Sequence, residues 1–495
     1  MKRHPHNLEI YFKLLLLVIL SMPGNSYAQE EEKRTNFQKE FSDFKNSINQ
    51  QFDSFVQHND SMFVQFLQQS WKEFKGIENK MPVSPKPVQQ PKVPNPSKIE
   101  IPEKKETTKL SPEIINPPFI PERKDSLPPR LESLSSISAF SSFEFYGTEI
   151  SIPRPDNSLP MLKSITNDGI IHYFTSATNS SLLNTLIKTA KESSASCKLN
   201  DWGLASLLMA EAQKLYNSQN EQVLFTWYAL IRNGYNAKVG FNNERVYLLL
   251  PATEKVYTTS YVVKGTSYYL FDFKLTTQQV NLLSIYEADY PGNKTGFSFQ
   301  LTQIPQLGNL YITRPSGPDR PFELKICQNL MDFYNNYPTC ELKVFFAAPL
   351  SESILKQLDL YFIPMLENKT DDEKVAFLLN FVQRGIPYQT DQEQFGREKY
   401  FFAEETLYYP AADCEDRAIL LARLVNHYTK LEAIGLSYPE HVSLAVNITD
   451  IPGMKFFTYK DKHFYNCDPT YLGAGCGEIM INLIKTVPEI IDYKL

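Results

Sequence analysis

Apolar residues recur at steps of three and four through Phe37, Phe41, Phe44, Ile48, Phe52 and Phe55, and Met62, Phe66 and Phe74 can extend the stripe. That spacing predicts a long amphipathic helix or helix pair over 29–78. Residues 81–130 then hold thirteen prolines and no glycine, with charges in place of apolar periodicity, which predicts an extended polyproline-type spacer over 79–130. From about 131 the pattern is globular. Residues 199–233 read as helical, and Arg245–Leu250 and Ser267–Phe271 as strands. A strand-rich connector follows over 286–365, with Glu341–Phe346 as its clearest strand. Thr370-Asp371-Asp372-Glu373 forms a capping-box start for a helix through Gln383.

The most informative run is Asp413-Cys414-Glu415-Asp416-Arg417. It opens Ala418–Val425, apolar nearly all round, which reads as a buried helix with Cys414 in its first turn, where the helix dipole favours a thiolate. His441 begins an alternating strand through Ile448, and Asp468 ends the aromatic strand His463–Cys467. Pro452-Gly453 between them is a turn signal, so the two strands can pair with His441 and Asp468 as neighbours. Cys414, His441 and Asp468 would then serve as nucleophile, base and orienter. Taken singly, each residue is more often structural: a buried small hydrophobe, a solvated histidine, a turn aspartate.

Phe381-Val382-Gln383, Pro387-Tyr388, Glu405-Thr406-Leu407, Asp413-Cys414-Glu415-Asp416 and Asp468-Pro469-Thr470 resemble the bacterial transglutaminase-like cysteine peptidases over about residues 366–475. The resemblance implies an α+β, papain-like catalytic domain over 366–495 with a Cys414–His441–Asp468 triad. It departs from the family at Ala412, where many relatives carry glycine. Cys414 N–H would supply one oxyanion donor and the loop 389–413 the other, with Tyr400 as a weak candidate. Nothing marks an amine-acceptor site, so hydrolysis of a protein or peptide amide, including cell-wall peptide, is the expected reaction. No organic cofactor is needed for that chemistry.

Three carboxylates, Asp413, Glu415 and Asp416, oppose thiolate formation beside Cys414, and calcium is the candidate ion to neutralise them; the resemblance implies the same. The competing reading makes Asp413 an N-cap, with Glu415 and Asp416 favouring the helix N-terminus and Arg417 pairing locally.

Lys2 and Arg3, the run Leu14–Leu20 and Ser26-Tyr27-Ala28 read as a signal peptide over 1–28, with Gln29 the mature start. The apolar run is too short to span a bilayer, so a soluble periplasmic or secreted product is expected. The chain carries −6, of which residues 1–28 contribute +2; the acidic remainder argues against nucleic acid as a partner. Six cysteines in an exported chain can form disulfides. Cys327 and Cys340 are one candidate pair, and spacing leaves the pairing open.

Residues 131–285 are expected to hold a degenerate copy of the catalytic domain. Arg245 to Asp272 spans 27 positions, as does His441 to Asp468, and Asn220 and Arg245 would replace cysteine and histidine. A second overall reading follows from this copy, the spacer and the Phe-striped segment at 36–75: a non-catalytic binding or assembly protein, docking or self-associating through that segment.

Overall fold

A segment from Tyr27 to Leu67 without glycine or proline has nothing to break a helix, and it forms one, α1 (Tyr27–Leu67). Phe37, Phe41, Phe44, Ile48 and Phe55 are exposed along it. The computed structural model describes residues 27–69, 71–81, 86–87, 89–93, 140–154, 158–271, 280–293, 296–317 and 322–493. The chain divides into two compact units, residues 1–66 and 67–495. Among the described residues, no helix is long and apolar enough to cross a membrane.

The second unit mixes helix and sheet. It opens with β1 (Lys72–Lys75) and β2 (Ile77–Glu78), so Phe74 belongs to a strand and not to the helical stripe expected to continue through it. The hairpin β3 (Phe140–Phe145) and β4 (Thr148–Pro153) turns at Tyr146 and Gly147, both at positive φ. Four helices follow, α2 (Asn167–Thr178), α3 (Ser181–Ser196), α4 (Asp201–Leu215) and α5 (Gln219–Arg232). Thr166, Ser180 and Asn200 cap the first three.

Five strands come next: β5 (Lys238–Phe241), β6 (Val246–Leu250), β7 (Thr259–Val263), β8 (Thr266–Phe271) and β9 (Leu282–Ile285). With β1 and β2 they form a sheet in the order β1-β9-β5-β6-β8-β7-β2. Residues 72–78 therefore bridge both edge strands, β9 and β7, and draw the sheet into a closed, barrel-like layer. The bend passes through Gly76, where a Cβ would meet Thr259 Cγ2 and the Val280 carbonyl at 2.7 Å each. Tyr247, Leu249, Tyr261, Tyr268 and Leu283 fill the layer, with Phe74 packed against them.

The hairpin β10 (Tyr311–Ser316) and β11 (Phe322–Cys327) leads to helices α6 (Gln328–Asn335), α7 (Leu342–Ala347) and α8 (Glu352–Leu366). The strand expected at Glu341–Phe346 is thus corrected to helix α7. Its β-branched and aromatic residues are strand formers, but Val344, Phe345 and Phe346 are all buried, and Phe345 and Phe346 lie against Phe402 and Tyr493. The expected capping box is present: Glu373 N–H donates to Thr370 Oγ1, and Thr370 N–H donates to Glu373 Oε2, starting α9 (Asp371–Gly385).

Helices α10 (Asp391–Phe395) and α11 (Ala403–Tyr408) precede α12 (Cys414–Tyr428). Strands β12 (Ala433–Tyr438), β13 (His441–Val446), β14 (Phe457–Tyr459), β15 (Lys462–Asn466) and β16 (Glu489–Ile491) then form a sheet in the order β14-β15-β13-β12-β16. The order β7-β8-β6-β5-β9 in the first sheet is the same, strand for strand. In each half a helix precedes the first two strands and packs on both, α5 on β5 and β6, α12 on β12 and β13. Asn220 Oδ1, at the start of α5, accepts from Val246 N at 2.9 Å, joining helix start to strand start. Asp272, the expected counterpart of Asp468, lies outside the described residues, as does the expected signal peptide up to Ser26.

Candidate functional site

Helix α12 is buried on nearly every face, which fixes its first residue in the interior: Cys414 is 1% exposed. Asp413 occupies the N-cap position, yet its side chain makes no capping bond. The Cys414 thiol donates to Glu415 Oε2 at 3.0 Å. Burial, then the carboxylates of Glu415 and Asp413, push its pKa well up, and Lys86 works against them.

His441 starts β13 and is paired across the hairpin with Tyr438, whose ring lies over the imidazole at 6.4 Å between centroids. Its Nε2 is 2.8 Å from Asp468 Oδ2. Asp468 Oδ1 accepts from Thr470 N at 2.9 Å and Tyr471 N at 3.2 Å, so one oxygen sets the turn while the other holds the ring. His441 Nδ1 is buried without a hydrogen-bond partner. The expected pairing of the His441 and Asp468 strands is present, with Ala445 opposite Asn466. His463 and His427 have other partners, Asp450 and Asp359, each at 3.0 Å.

Three buried contacts fix the Asp468 loop. Gln383 Nε2 lies 2.9–3.0 Å from the carbonyls of Asp468, Tyr471 and Ala474 and shares its two N–H bonds among them, and Gln383 Oε1 accepts from Gly473 N. Arg417, fully buried, donates to the carbonyls of Pro469 and Ile386, which ties α12 to the same loop. Cys467 and Cys476 form a disulfide around it. The Cys327–Cys340 pair weighed from sequence is corrected: both thiols are free, as are Cys197 and Cys414. Nearness in the fold decided the pairing, which spacing could not.

The acids beside Cys414 are partly regrouped. Asp416 turns away, its Oδ1 accepting from Phe401 N at 2.9 Å. Asp413 and Glu415 instead converge with Asp391 and Glu398, one oxygen of each lying within 4.8 Å of the others. Into this cluster comes Lys86, whose Nζ is 2.5 Å from Asp413 Oδ2, 2.5 Å from Glu415 Oε1, 2.8 Å from Glu398 Oε2 and 3.8 Å from Asp391 Oδ2. Burial opposes the Lys86 charge, and the carboxylates of Glu415 and Asp413 overcome it and drive its pKa far up. Burial, then Glu415, raises Asp391 to about 7, with Lys86 opposing. By donor type these four acids suit a divalent cation, but an ion there would have to displace the ammonium.

The spacer expected over 79–130 is therefore corrected over its described part. Residues 86–87 and 89–93 lie against the region that carries Cys414, His441 and Asp468: Tyr388 Oη donates to the Pro87 carbonyl at 2.8 Å, and Val93 N and the Pro91 carbonyl bond Leu472. Proline-rich composition reports extension, and an extended segment can be bound as readily as free. Tyr400, the weak oxyanion candidate, is buried and packs edge-on against Phe345 at 5.6 Å. Sequence reasoning missed Lys86, Asp391 and Glu398; the Pro85-Lys86-Pro87 run was the signal available for the first.

No family model, no curated protein and no solved structure matches the chain.

Proposed function

We propose that residues 366–495 act as a thiol hydrolase on a protein or peptide amide, with a papain-like fold of the transglutaminase-like type. The observation that carries this reading is the buried His441–Asp468 pair, with Nε2 on the carboxylate and Nδ1 unengaged, beside the helix that Cys414 opens. In the mechanism, His441 takes the thiol proton and Cys414 Sγ attacks the amide carbonyl, forming a C–S bond. His441 returns the proton to the leaving amine as the C–N bond breaks. Water then hydrolyses the thioester, releasing the acid and the thiol. Asp468 keeps the tautomer. Cys414 N–H is the first oxyanion donor. Cys414→Ala and His441→Ala should each abolish turnover of a peptide-amide library, and retention in both variants would end the reading.

The half-domain built on α5 and β5–β9 is proposed to be a degenerate copy serving as scaffold or substrate platform; its matching strand order supports this. The protein is proposed to be exported, with Gln29 as the mature start, and the helical part of the 36–75 segment, up to Leu67, to serve docking or self-association. Calcium is the alternative occupant of the acidic cluster, in competition with Lys86.

A non-catalytic binding role has one specific observation in its favour: the Cys414 thiol is buried and bonded to Glu415 instead of the imidazole. Mass-spectrometric labelling with iodoacetamide separates the two. Selective labelling of Cys414 that depends on His441 supports hydrolysis, and labelling no faster than at Cys197 supports the binding role.

A further inference from the structure

Lys86 is a long way from Asp413 in sequence, yet its ammonium meets four carboxylates with its side chain only 8% exposed. Three of them stand 2.5–2.8 Å from Nζ, one for each ammonium proton. Asp413 Oδ1 remains buried and without a partner. A compact point charge with three rotatable donors suits this arrangement of carboxylates.

The backbone on either side of that lysine is held as well. The Pro87 carbonyl accepts from Tyr388 Oη, and Gln90 Nε2 donates to the Gln383 carbonyl at 3.3 Å. Val93 N donates to the Leu472 carbonyl at 3.2 Å, Leu472 N donates to the Pro91 carbonyl at 2.9 Å, and Lys92 bridges Leu472 in parallel. Val93 also packs on the core of Leu436, Tyr438 and Tyr471. The segment thus runs from the acids that flank Cys414 to the loop that follows Asp468. Main-chain bonds to an extended segment with one deep side-chain pocket are how peptide grooves read their ligands.

We infer that this surface is a peptide-binding groove whose four-carboxylate pocket recognises the ammonium of a lysine side chain, and that residues 86–87 and 89–93 occupy it in cis. The inference rests on the peptide-directed reading of this unit for its meaning, while the binding itself does not require chemistry. Lys86 follows Glu78 of the sheet by eight residues, so the tether supplies an effective concentration on the order of millimolar. The prolines at 87 and 91 keep the segment extended and lower its ordering cost. Peptides from outside must compete with it, and the unit is self-occluded.

The test uses the full chain with Cys414→Ala, so that binding is read without turnover. The probe is a fluorescent synthetic peptide of residues 84–95, followed by anisotropy. With Lys86→Met added, the peptide should bind at least tenfold more tightly than to the chain that keeps Lys86. A peptide with methionine at position 86 should bind at least tenfold more weakly than the native one. Removing the cation from three buried acids and the half-buried Glu398 can unfold the domain, so Val93→Asp is the second variant. It loosens the segment at Leu472 and leaves the pocket intact, and it should open the groove to the same peptide. Folded variants that ignore the native peptide, or bind both peptides equally, overturn the inference. Because the nucleophile is absent throughout, either result stands apart from whether Cys414 is catalytic.

Discussion

His441 Nε2 and Asp468 Oδ2 lie 2.8 Å apart across 27 residues, and the second oxygen of the carboxylate is spent on the backbone of Thr470 and Tyr471. An amide at 468 preserves the turn but can place an NH2 against the ring nitrogen and reverse the tautomer. Asp468→Asn should lower turnover by ~10³ or more, though less than Cys414→Ala. His463→Ala should leave turnover unchanged, since that ring serves Asp450. Steady-state turnover on one peptide amide checks all three; loss in His463→Ala with retention in His441→Ala would reverse the assignment of the base.

Gln383 should be a large contributor to the stability of the C-terminal region, residues 366–495. Its side chain serves three carbonyls and one N–H inside the Asp468 loop. Gln383→Ala should cost about 3 kcal/mol in chemical denaturation, because the groups left behind are buried without partners. Gln383→Glu should cost at least as much, since a carboxylate cannot donate to those carbonyls.

Glu211, on α4, gives the fold a pH dependence of unusual sign. Both of its oxygens are buried without hydrogen-bond partners, and burial raises its pKa from 4.5 to about 8. The folded chain therefore keeps a proton that the unfolded chain loses above pH 4.5, and stability falls as pH rises from there to about 8. At pH 7 the loss should be about 3 kcal/mol. Glu211→Gln should make this fall shallower by its own share, while Asp391, raised to about 7, keeps a fall of the same sign, which thermal unfolding at pH 5, 6, 7 and 8 would show.

The Cys467–Cys476 bridge leaves four thiols free. Unfolded without reductant, the protein should titrate four thiols, and six after reduction. Replacing both bridge cysteines with serine should cost about 2.5 kcal/mol from loop entropy. It should also lower turnover, because the ring closes next to Asp468.

Where local pattern and final structure agree, the reason is that one element carries the signal alone. The apolar run after Cys414 needs no distant partner to read as a buried helix, and Thr370 with Glu373 caps a helix wherever it stands. The His441 and Asp468 strands were legible because the first alternates, the second is rich in aromatic residues, and a Pro-Gly turn separates them. Glu341–Phe346 was misread because its strand-forming residues find their contacts against Phe402 and Tyr493, far along the chain. Lys86 was illegible for the same reason: its partners lie more than 300 residues away, and one lysine among prolines carries no mark of them.

The clasp formed by residues 72–78 has a mechanical consequence. Lys72–Lys75 is laddered to Leu282–Ile285, and Ile77–Glu78 to Thr259–Ser260. A pull on the chain ahead of Lys72 therefore loads the β1–β9 ladder first, and loss of either that ladder or the β2–β7 ladder opens the barrel. Proteolytic trimming past residue 78 would do so at once, baring the backbone of β7 and β9 as two unpaired templates for another chain.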